Sequence, residues 1–204
     1  MCIRDSTFSI LNYHPAKAKN DKPLVLVGKG VVYDTGGLSL KPTANSMDLM
    51  KSDMGGSATV LGTMKAISEA ELPYHVIALI PATDNRPGLN AYAPGDIIEM
   101  YDGTQVEVLN TDAEGRMILA DALAYAKELQ PLLTLNFATL TGASAYAIGK
   151  FGSVVMGDAP ETVWEELENA GELSGEKMAK YPFWEEYGLS LIHISEPTRP
   201  LYIS

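Results

Sequence analysis

Short apolar runs alternate along the chain with longer segments of helical periodicity. Continuous apolar runs at 24–28 and 75–80 predict strands buried on both faces, and 132–137 predicts a further strand. Apolar residues spaced three or four apart after Gly55, and a second apolar-rich segment from Met117 onward, predict two helices. Strands that alternate with helices predict an α/β fold, with a mixed, mainly parallel sheet flanked by helices.

The intervening segments predict turns and smaller elements. The glycine-rich stretch 29–37 is typical of a strand followed by a turn, and 97–100 with 105–109 predicts a hairpin. Residues 81–95 are predicted to form a long loop, which in a compact domain is usually functional or mobile. The predicted order is completed by a strand at 153–156 and an acidic helix at 161–170.

Ligands of open α/β sheets bind at the carboxyl ends of the strands. Lys29, Asn110 and Ala138 each follow a predicted strand directly. The stretch Asn110-Thr-Asp-Ala-Glu-Gly-Arg116 brings two acids and an arginine to the turn between a predicted strand and a predicted helix. We therefore expect the residues that carry chemistry to meet at this edge of the sheet.

Composition narrows the possible functions. A chain of 204 residues is long enough for one core, and its net charge of −11 argues against non-specific nucleic-acid binding. The single cysteine, Cys2, excludes an intrachain disulfide and favours a reducing compartment. No apolar run approaches the ~18 residues of a membrane span. We therefore expect a soluble, cytoplasmic protein that binds neither nucleic acid nor membrane.

Both ends differ in character from the rest of the chain. Residues 1–6 and 190–204 follow neither the neighbouring periodicity nor any helix-capping pattern, and they resemble translated sequencing-adaptor read-through. We interpret them as non-native ends and exclude them from the fold prediction. The fold prediction rests on the remaining residues, 7–189.

The polar residues on the glycine-rich turns are acids and amines. No His-Glu-x-x-His or Gly-x-Ser-x-Gly motif is present, which excludes a zincin and an α/β-hydrolase nucleophile. Carboxylates without sulfur favour divalent ions such as Mn²⁺, Mg²⁺ or Zn²⁺, and two such ions about 3.5–4 Å apart activate water for hydrolysis. The candidate residues are Lys29, Asp34, Lys41, Asp53, Asp112, Glu114 and Arg116.

Other interpretations of the same acids stay open at this point. Asp34 could be an ordinary turn aspartate, and Asp112 and Glu114 could be acids that favour a helix start. The residues from Asn110 to Asp121 also partly match a calcium-binding loop, although an asparagine at its first position and an aspartate at its last depart from the EF-hand pattern.

Taken together, three runs resemble the leucine (cytosol) aminopeptidase family of di-metal exopeptidases. They lie at 27–37, 47–56 and 110–116, with weaker similarity at 138–142 and 174–176. The heptad from Asn110 to Arg116 is the most specific of them. The resemblance covers roughly Thr7 to Leu189 and implies the family's catalytic domain.

The resemblance implies two metal ions, Mn²⁺ or Zn²⁺, held by residues of the matching runs. Lys29, Asp34, Asp53 and Glu114 would hold one ion. Asp34, Asp112 and Glu114 would hold the other, so that Asp34 and Glu114 bridge the pair. Lys29 would then bind as an unusual amine ligand.

The resemblance also implies the catalytic and substrate-binding residues. Lys41 would donate to the scissile carbonyl, and Arg116 would hold a bicarbonate-like anion that shuttles a proton to the leaving amine. Met50 and Thr139 match positions that line the pocket for the first side chain, so an apolar N-terminal residue such as leucine is expected.

The partners implied are peptides with a free N-terminus and, for intact family members, five further copies in a homohexamer. Compared with the family's pattern, we expect this sequence to be a fragment without the separate N-terminal domain and without the end of the catalytic domain, and we expect it to be poorly active alone. Two alternatives remain. A di-metal hydrolase of another class, such as a phosphoesterase, usually adds histidine ligands, and a non-catalytic paralogue would have lost one of the matched residues.

Overall fold

The computed structural model describes residues 6–184 and, for the backbone alone, 201–203. Its strands are β1 (Thr7–Tyr13), β2 (Leu24–Gly28), β3 (Gly30–Asp34), β4 (Val76–Asn85), β5 (Ile97–Glu99), β6 (Gln105–Val108), β7 (Leu133–Phe137), β8 (Gly152–Val155), β9 (Lys177–Lys180) and β10 (Leu201–Ile203). Its α-helices are α1 (Gly55–Glu69), α2 (Glu114–Glu128), α3 (Ala143–Ile148) and α4 (Glu161–Ser174).

The main sheet is mixed and mainly parallel, which confirms the predicted fold class. Its strands lie in the order β1-β4-β2-β7, and β3 also pairs with β4. The pairs β2–β4, β2–β7 and β3–β4 are parallel, and β1 runs antiparallel to β4 at the edge. A hairpin of β5 and β6 forms, as the sequence predicts, and β10 pairs with β6 to complete a separate three-stranded sheet.

Helices cover both faces of the main sheet. On one face, Leu119, Ala122 and Ala126 of α2 pack against apolar residues of β2 and β4. On the other face, Val60 and Met64 of α1 pack against the same two strands. Because successive side chains of a strand point to opposite faces, strands covered on both sides must be apolar throughout, which explains the continuous runs in the sequence.

Strand β4 is longer than predicted, and the predicted loop at 81–95 is correspondingly too long. The sequence prediction ends this strand at Ile80, because proline cannot donate to a sheet ladder. In the structure, Pro81 lies where β4 changes partner on one edge. Strand β2 pairs with β4 as far as Leu79, and β3 pairs with it from Ala82. Pro81 therefore lies between the β2 ladder and the β3 ladder on that edge, while it stays paired with Phe8 of β1, and the strand continues to Asn85.

Other boundaries also differ from the prediction. Helix α2 begins at Glu114 rather than at Met117, and α4 extends to Ser174. Four elements were not predicted from the sequence: β1, β9, α3 and a 3₁₀ turn at Met47–Ser52. No helix within the described residues is long and apolar enough to cross a membrane.

The described residues form two compact units. The first comprises residues 6–139 with 201–203 and contains the main sheet. The second, 140–184, contains α3 and α4 and the parallel pair of β8 and β9. The predicted end segments lie outside the described residues, apart from Ser6 and from 201–203, which pairs with β6 as β10. The assignment of 7–189 to one catalytic domain stays a prediction.

Candidate metal centre

The carboxyl ends of the parallel strands bring the predicted chemistry to one edge of the main sheet. Lys29 directly follows β2, and Asp34 is the last residue of β3. Thr139 follows β7, where its carbonyl accepts a hydrogen bond from Lys29 Nζ at 3.1 Å. Helix α2 begins at the same place with Glu114. The expected meeting point at this edge is therefore confirmed.

Two glycines make the approach of these segments possible. Gly36 has a φ of +84°, and a Cβ there would lie 2.3 Å from the carbonyl oxygen of Ser39. Its N–H donates to Asp34 Oδ1 at 2.8 Å, which closes the turn after β3. At Gly56, near the start of α1, a Cβ would lie 2.1 Å from the carbonyl oxygen of Phe137. A larger residue at either position would move the segments that carry the acids.

Three buried acids from different elements form the centre of the site. Asp34, Asp53 and Glu114 each offer a carboxylate oxygen, and these oxygens lie within 4.8 Å of one another. Each of these residues is less than 5% exposed. Burial raises the pKa of Glu114 to about 7, and burial likewise raises the pKa of Asp53 despite the nearby Lys29. The three acids therefore lie close together with little exposure to solvent, and a bound cation would offset the repulsion between their charges.

Lys29 lies between two of these acids. Its Nζ is 2.8 Å from Asp53 Oδ2 and 3.1 Å from Glu114 Oε1. The hydroxyl of Thr139 also donates to Asp53 Oδ1 at 2.8 Å. This buried ion pair fixes the direction of both carboxylates.

Lys41 links a fourth acid, Asp112, to the three buried acids. Its Nζ lies 3.0 Å from Asp34 Oδ2 and forms an ion pair with Asp112 Oδ1. Burial opposes the charge of Lys41, but the hydrogen bonds to Asp112 and Asp34 outweigh it and raise the pKa of the amine. Lys41 is therefore an ammonium at neutral pH, with donors available at the edge of the site.

The turn from Asn110 to Glu114 is a helix start and not a calcium loop. Asn110 Oδ1 accepts from the N–H of Asp112 at 2.8 Å, and a 3₁₀ turn at Thr111–Ala113 leads directly into α2. Asp121, which would close the calcium loop, lies on α2 and accepts from the N–H of Tyr101. The calcium interpretation is therefore wrong.

Two side chains near the acids were not predicted from the sequence: Asn85 contacts the acids themselves, and Tyr92 lies beside them. Asn85, the last residue of β4, donates to Asp34 Oδ1 at 2.8 Å and to Glu114 Oε2 at 3.2 Å. Tyr92 donates to the carbonyl of Thr111 at 2.8 Å, and burial beside the acids raises the pKa of its phenol. Both lie in the segment that was predicted to be a long loop. A single asparagine or tyrosine there belongs to no motif, so the sequence does not mark it as a functional residue.

The chain that carries this arrangement matches a known protein family. The model of the cytosol aminopeptidase family, catalytic domain, matches residues 3–194. The chain belongs to this family. The resemblance drawn from the sequence motifs is therefore confirmed.

Curated relatives in the cytosol aminopeptidase family agree with this assignment. The chain is 47% identical over 183 residues to "Probable cytosol aminopeptidase 2" of Shewanella oneidensis, covering 90% of this chain and 36% of that protein. It is 49% identical over 181 residues to "Probable cytosol aminopeptidase" of Geobacter sulfurreducens, covering 89% and 36%. The chain thus spans little more than a third of the length of these relatives.

Solved structures of similar proteins share the fold. The leucine aminopeptidase of Caenorhabditis elegans has a TM-score of 0.86 and 36% identity, over 97% of this chain and 39% of that one. The bottromycin maturation enzyme BotP, in a structure described as a complex with Mn, has a TM-score of 0.85 and 32% identity, over 97% and 42%. These chains confirm the α/β architecture, of which the present chain covers a part.

Of the other predicted site residues, Thr139 contacts an acid directly, and Met50 and Arg116 lie on the neighbouring 3₁₀ turn and on α2. Met50 lies half-buried in the 3₁₀ turn before Asp53, and its carbonyl accepts from the N–H of Asp53 at 3.3 Å. Arg116 is half-buried on the first turn of α2. Thr139 is exposed and contacts Asp53 directly. The roles of these three residues in substrate and anion binding stay predictions.

Proposed function

We propose that the full-length protein is a metal-dependent aminopeptidase that removes leucine-like N-terminal residues from peptides in the cytoplasm. Membership of the cytosol aminopeptidase family supports this activity. The observation that carries it is the buried group of Asp34, Asp53 and Glu114, with carboxylate oxygens within 4.8 Å of one another. Such a group is costly to bury without cations and suits a site that binds them.

The donor set fits two divalent ions. Asp34, Asp53, Asp112 and Glu114 provide four carboxylates, which would balance two divalent charges. Carboxylates without sulfur favour divalent ions such as Mn²⁺, Mg²⁺ or Zn²⁺. Of these we propose Mn²⁺ or Zn²⁺, as the family resemblance implies. In our proposal Lys29, Asp34, Asp53 and Glu114 hold one ion, and Asp34, Asp112 and Glu114 hold the other.

When bound, such a pair of ions supplies a water of lowered pKa and stabilises the negative charge that develops during hydrolysis. Lys41 keeps its proton, because its ion pairs raise the pKa of the amine. Its ammonium would donate to the scissile carbonyl oxygen and stabilise the oxyanion. Arg116 would hold a bicarbonate-like anion, through which a proton reaches the leaving amine.

Substrate selection depends on groups near Asp53. The substrate's free α-amine would lie on the Lys29 side of the site, so that a blocked N-terminus would not be accepted. Met50 and Thr139 would border the first side chain and favour an apolar one. We further propose that the full-length protein assembles as a homohexamer, and that the 204-residue chain alone is poorly active.

The test compares substrates on the full-length protein loaded with Mn²⁺. We expect hydrolysis of leucyl-p-nitroanilide, and no hydrolysis of N-acetyl-leucyl-p-nitroanilide or p-nitrophenyl phosphate. The matched variant Asp112→Asn keeps the shape of the side chain but removes one carboxylate, and it should lose most of the activity. Preferential cleavage of the phosphate ester would favour a phosphoesterase, and inactivity toward every substrate would favour a non-catalytic paralogue. Either result would contradict the proposal.

A further inference from the structure

The side-chain amide of Asn85 lies at the centre of the acid cluster, although no motif of the sequence includes it. Asn85 is the last residue of β4 and is 4% exposed. Its Nδ2 lies 2.8 Å from Asp34 Oδ1, 3.2 Å from Glu114 Oε2 and 2.9 Å from the carbonyl oxygen of Thr111. An amide nitrogen has two hydrogens, so these three acceptors share them.

Each of the two acids that Asn85 contacts uses one carboxylate oxygen for the amide and the other for a lysine amine. Asp34 accepts from Asn85 at Oδ1 and pairs with Lys41 at Oδ2. Glu114 accepts from Asn85 at Oε2 and pairs with Lys29 at Oε1. Acids and nitrogen donors therefore alternate without a break, in the order Asp53, Lys29, Glu114, Asn85, Asp34, Lys41, Asp112.

We propose that Asn85 is a positioning residue that orients Asp34 and Glu114 toward the metal ions they share. This inference rests on the proposed function, which makes these two acids the bridging ligands. Asp34 ends a strand and Glu114 begins a helix, and the negative charges of their carboxylates repel each other. A donor between them holds one oxygen of each and thereby sets the direction of the other.

The neutrality of the amide explains why an asparagine suits this central position. Among the seven linked residues, four acids face two lysines, which leaves a formal charge of −2 when all six are ionised. A third cation at position 85 would reduce this charge and oppose the binding of divalent ions. An amide supplies the hydrogen bonds without that loss of charge.

The backbone of Asn85 is itself held in place. Its carbonyl oxygen accepts from the N–H of Thr35 at 2.9 Å and from the Thr35 hydroxyl at 2.8 Å. Thr35 directly follows Asp34, so the ends of β3 and β4 are joined beside the acids. The amide therefore starts from a fixed point, as a positioning role requires.

A purely structural role would be to satisfy the carbonyl of Thr111. That oxygen also accepts from the hydroxyl of Tyr92 at 2.8 Å. Tyr92→Phe removes a donor from the same carbonyl and leaves both contacts of Asn85 with the acids in place. It is therefore the matched control for a change at Asn85.

The experiment measures Mn²⁺ binding by calorimetric titration and by electron paramagnetic resonance, which distinguishes a coupled ion pair from isolated ions. Asn85→Leu keeps the branching of the side chain but has no donor, and Asn85→Ser keeps one smaller donor. We expect the wild-type chain to bind two coupled ions. Affinity should fall about 10–100-fold in Asn85→Leu with loss of the coupled signal, and less in Asn85→Ser, whereas Tyr92→Phe should stay within about threefold of wild type.

The outcomes separate this inference from the proposed function. If the wild-type chain does not bind two Mn²⁺ ions, the proposed two-metal function fails and the inference fails with it. If the wild type binds two and Asn85→Leu binds them equally well, only the inference fails. Thermal unfolding without metal identifies a variant that does not fold. Should Asn85→Leu be unfolded, equal affinity of Asn85→Ser and wild type would overturn the inference.

Discussion

Gly115 provides the space that the Lys29 side chain occupies. A Cβ at position 115 would lie 2.6 Å from Lys29 Cε and 2.7 Å from its Nζ. Ordinary contacts of this kind are about 3.5–4.0 Å, so Gly115→Ala requires a movement of about 1 Å. The Nζ is now 2.8 Å from Asp53 Oδ2 and 3.1 Å from Glu114 Oε1. A displacement of that size breaks at least one of these pairs, because hydrogen bonds fail beyond about 3.5 Å.

The effect on stability should be small, and the effect on metal binding large. Forcing a methyl group into a packed site costs about 1–3 kcal/mol, and replacing a helical glycine by alanine returns about 0.5–1 kcal/mol. The net destabilisation is therefore about 0–2.5 kcal/mol. If Lys29 is a metal ligand, its displacement should weaken Mn²⁺ binding by about 10–100-fold, as the loss of a group that orients ligands does.

Calorimetric Mn²⁺ titration and urea unfolding without metal test this expectation on the same samples. The matched control is Gly62→Ala on α1, where a Cβ meets nothing within 4 Å. That variant should gain about 0.5–1 kcal/mol of stability and bind Mn²⁺ as the wild type does. Unchanged Mn²⁺ affinity in a folded Gly115→Ala chain would refute the reasoning, because the position of Lys29 would then not matter.

Three further predictions concern individual side chains. The pKa of Glu114 is about 7 in the folded metal-free chain, against 4.5 for the unfolded chain. The folded state therefore gains stability from the protonated Glu114 carboxyl, in full below pH 4.5, and loses it as the pH rises through 7. Relative to Glu114→Gln, the wild type should therefore lose about 3 kcal/mol over this range in urea unfolding, and parallel curves would contradict the raised pKa. Thr111→Val removes a hydroxyl that donates to the Gly36 carbonyl at 2.6 Å and accepts from the Ser39 N–H at 2.8 Å. It should cost about 1–3 kcal/mol of unfolding free energy, and a loss below about 0.5 kcal/mol would contradict this. Lys41→Met in the full-length protein should lower kcat about 10²–10³-fold in steady-state assays without lowering Mn²⁺ affinity, and an unchanged kcat would exclude the proposed role of its ammonium.

The sequence predicted the parts of the fold that local patterns determine. The continuous apolar run of β2 and the helical spacing after Gly55 each identified an element within a few residues of its observed position. The extension of β4 through Pro81 depends on which strands pair with it, and no local pattern contains that information. The same limit applies to His14 and His75, whose rings stack at 4.1 Å although they are far apart in the sequence.

Some residues of the candidate site were likewise predictable from the sequence and others were not. Asp34, Asp53 and Glu114 lie in motifs with acids on glycine-rich turns, and the structure brings these three together. Asn85 lies outside those motifs, and its importance comes only from the ends of β3, β4 and α2 meeting in space. A neutral amide also lacks the charge that marks a candidate ligand in a sequence. Residues that position ligands are therefore harder to identify than the ligands.

The proposed two-metal site is tested most directly by anomalous diffraction at the manganese edge, from crystals of the chain grown with Mn²⁺. We expect two peaks about 3.5–4 Å apart, both next to Asp34 and Glu114, with one beside Asp53 and the other beside Asp112. A map with no peak among these four acids, or with a single peak that Asp112 does not contact, would contradict the account.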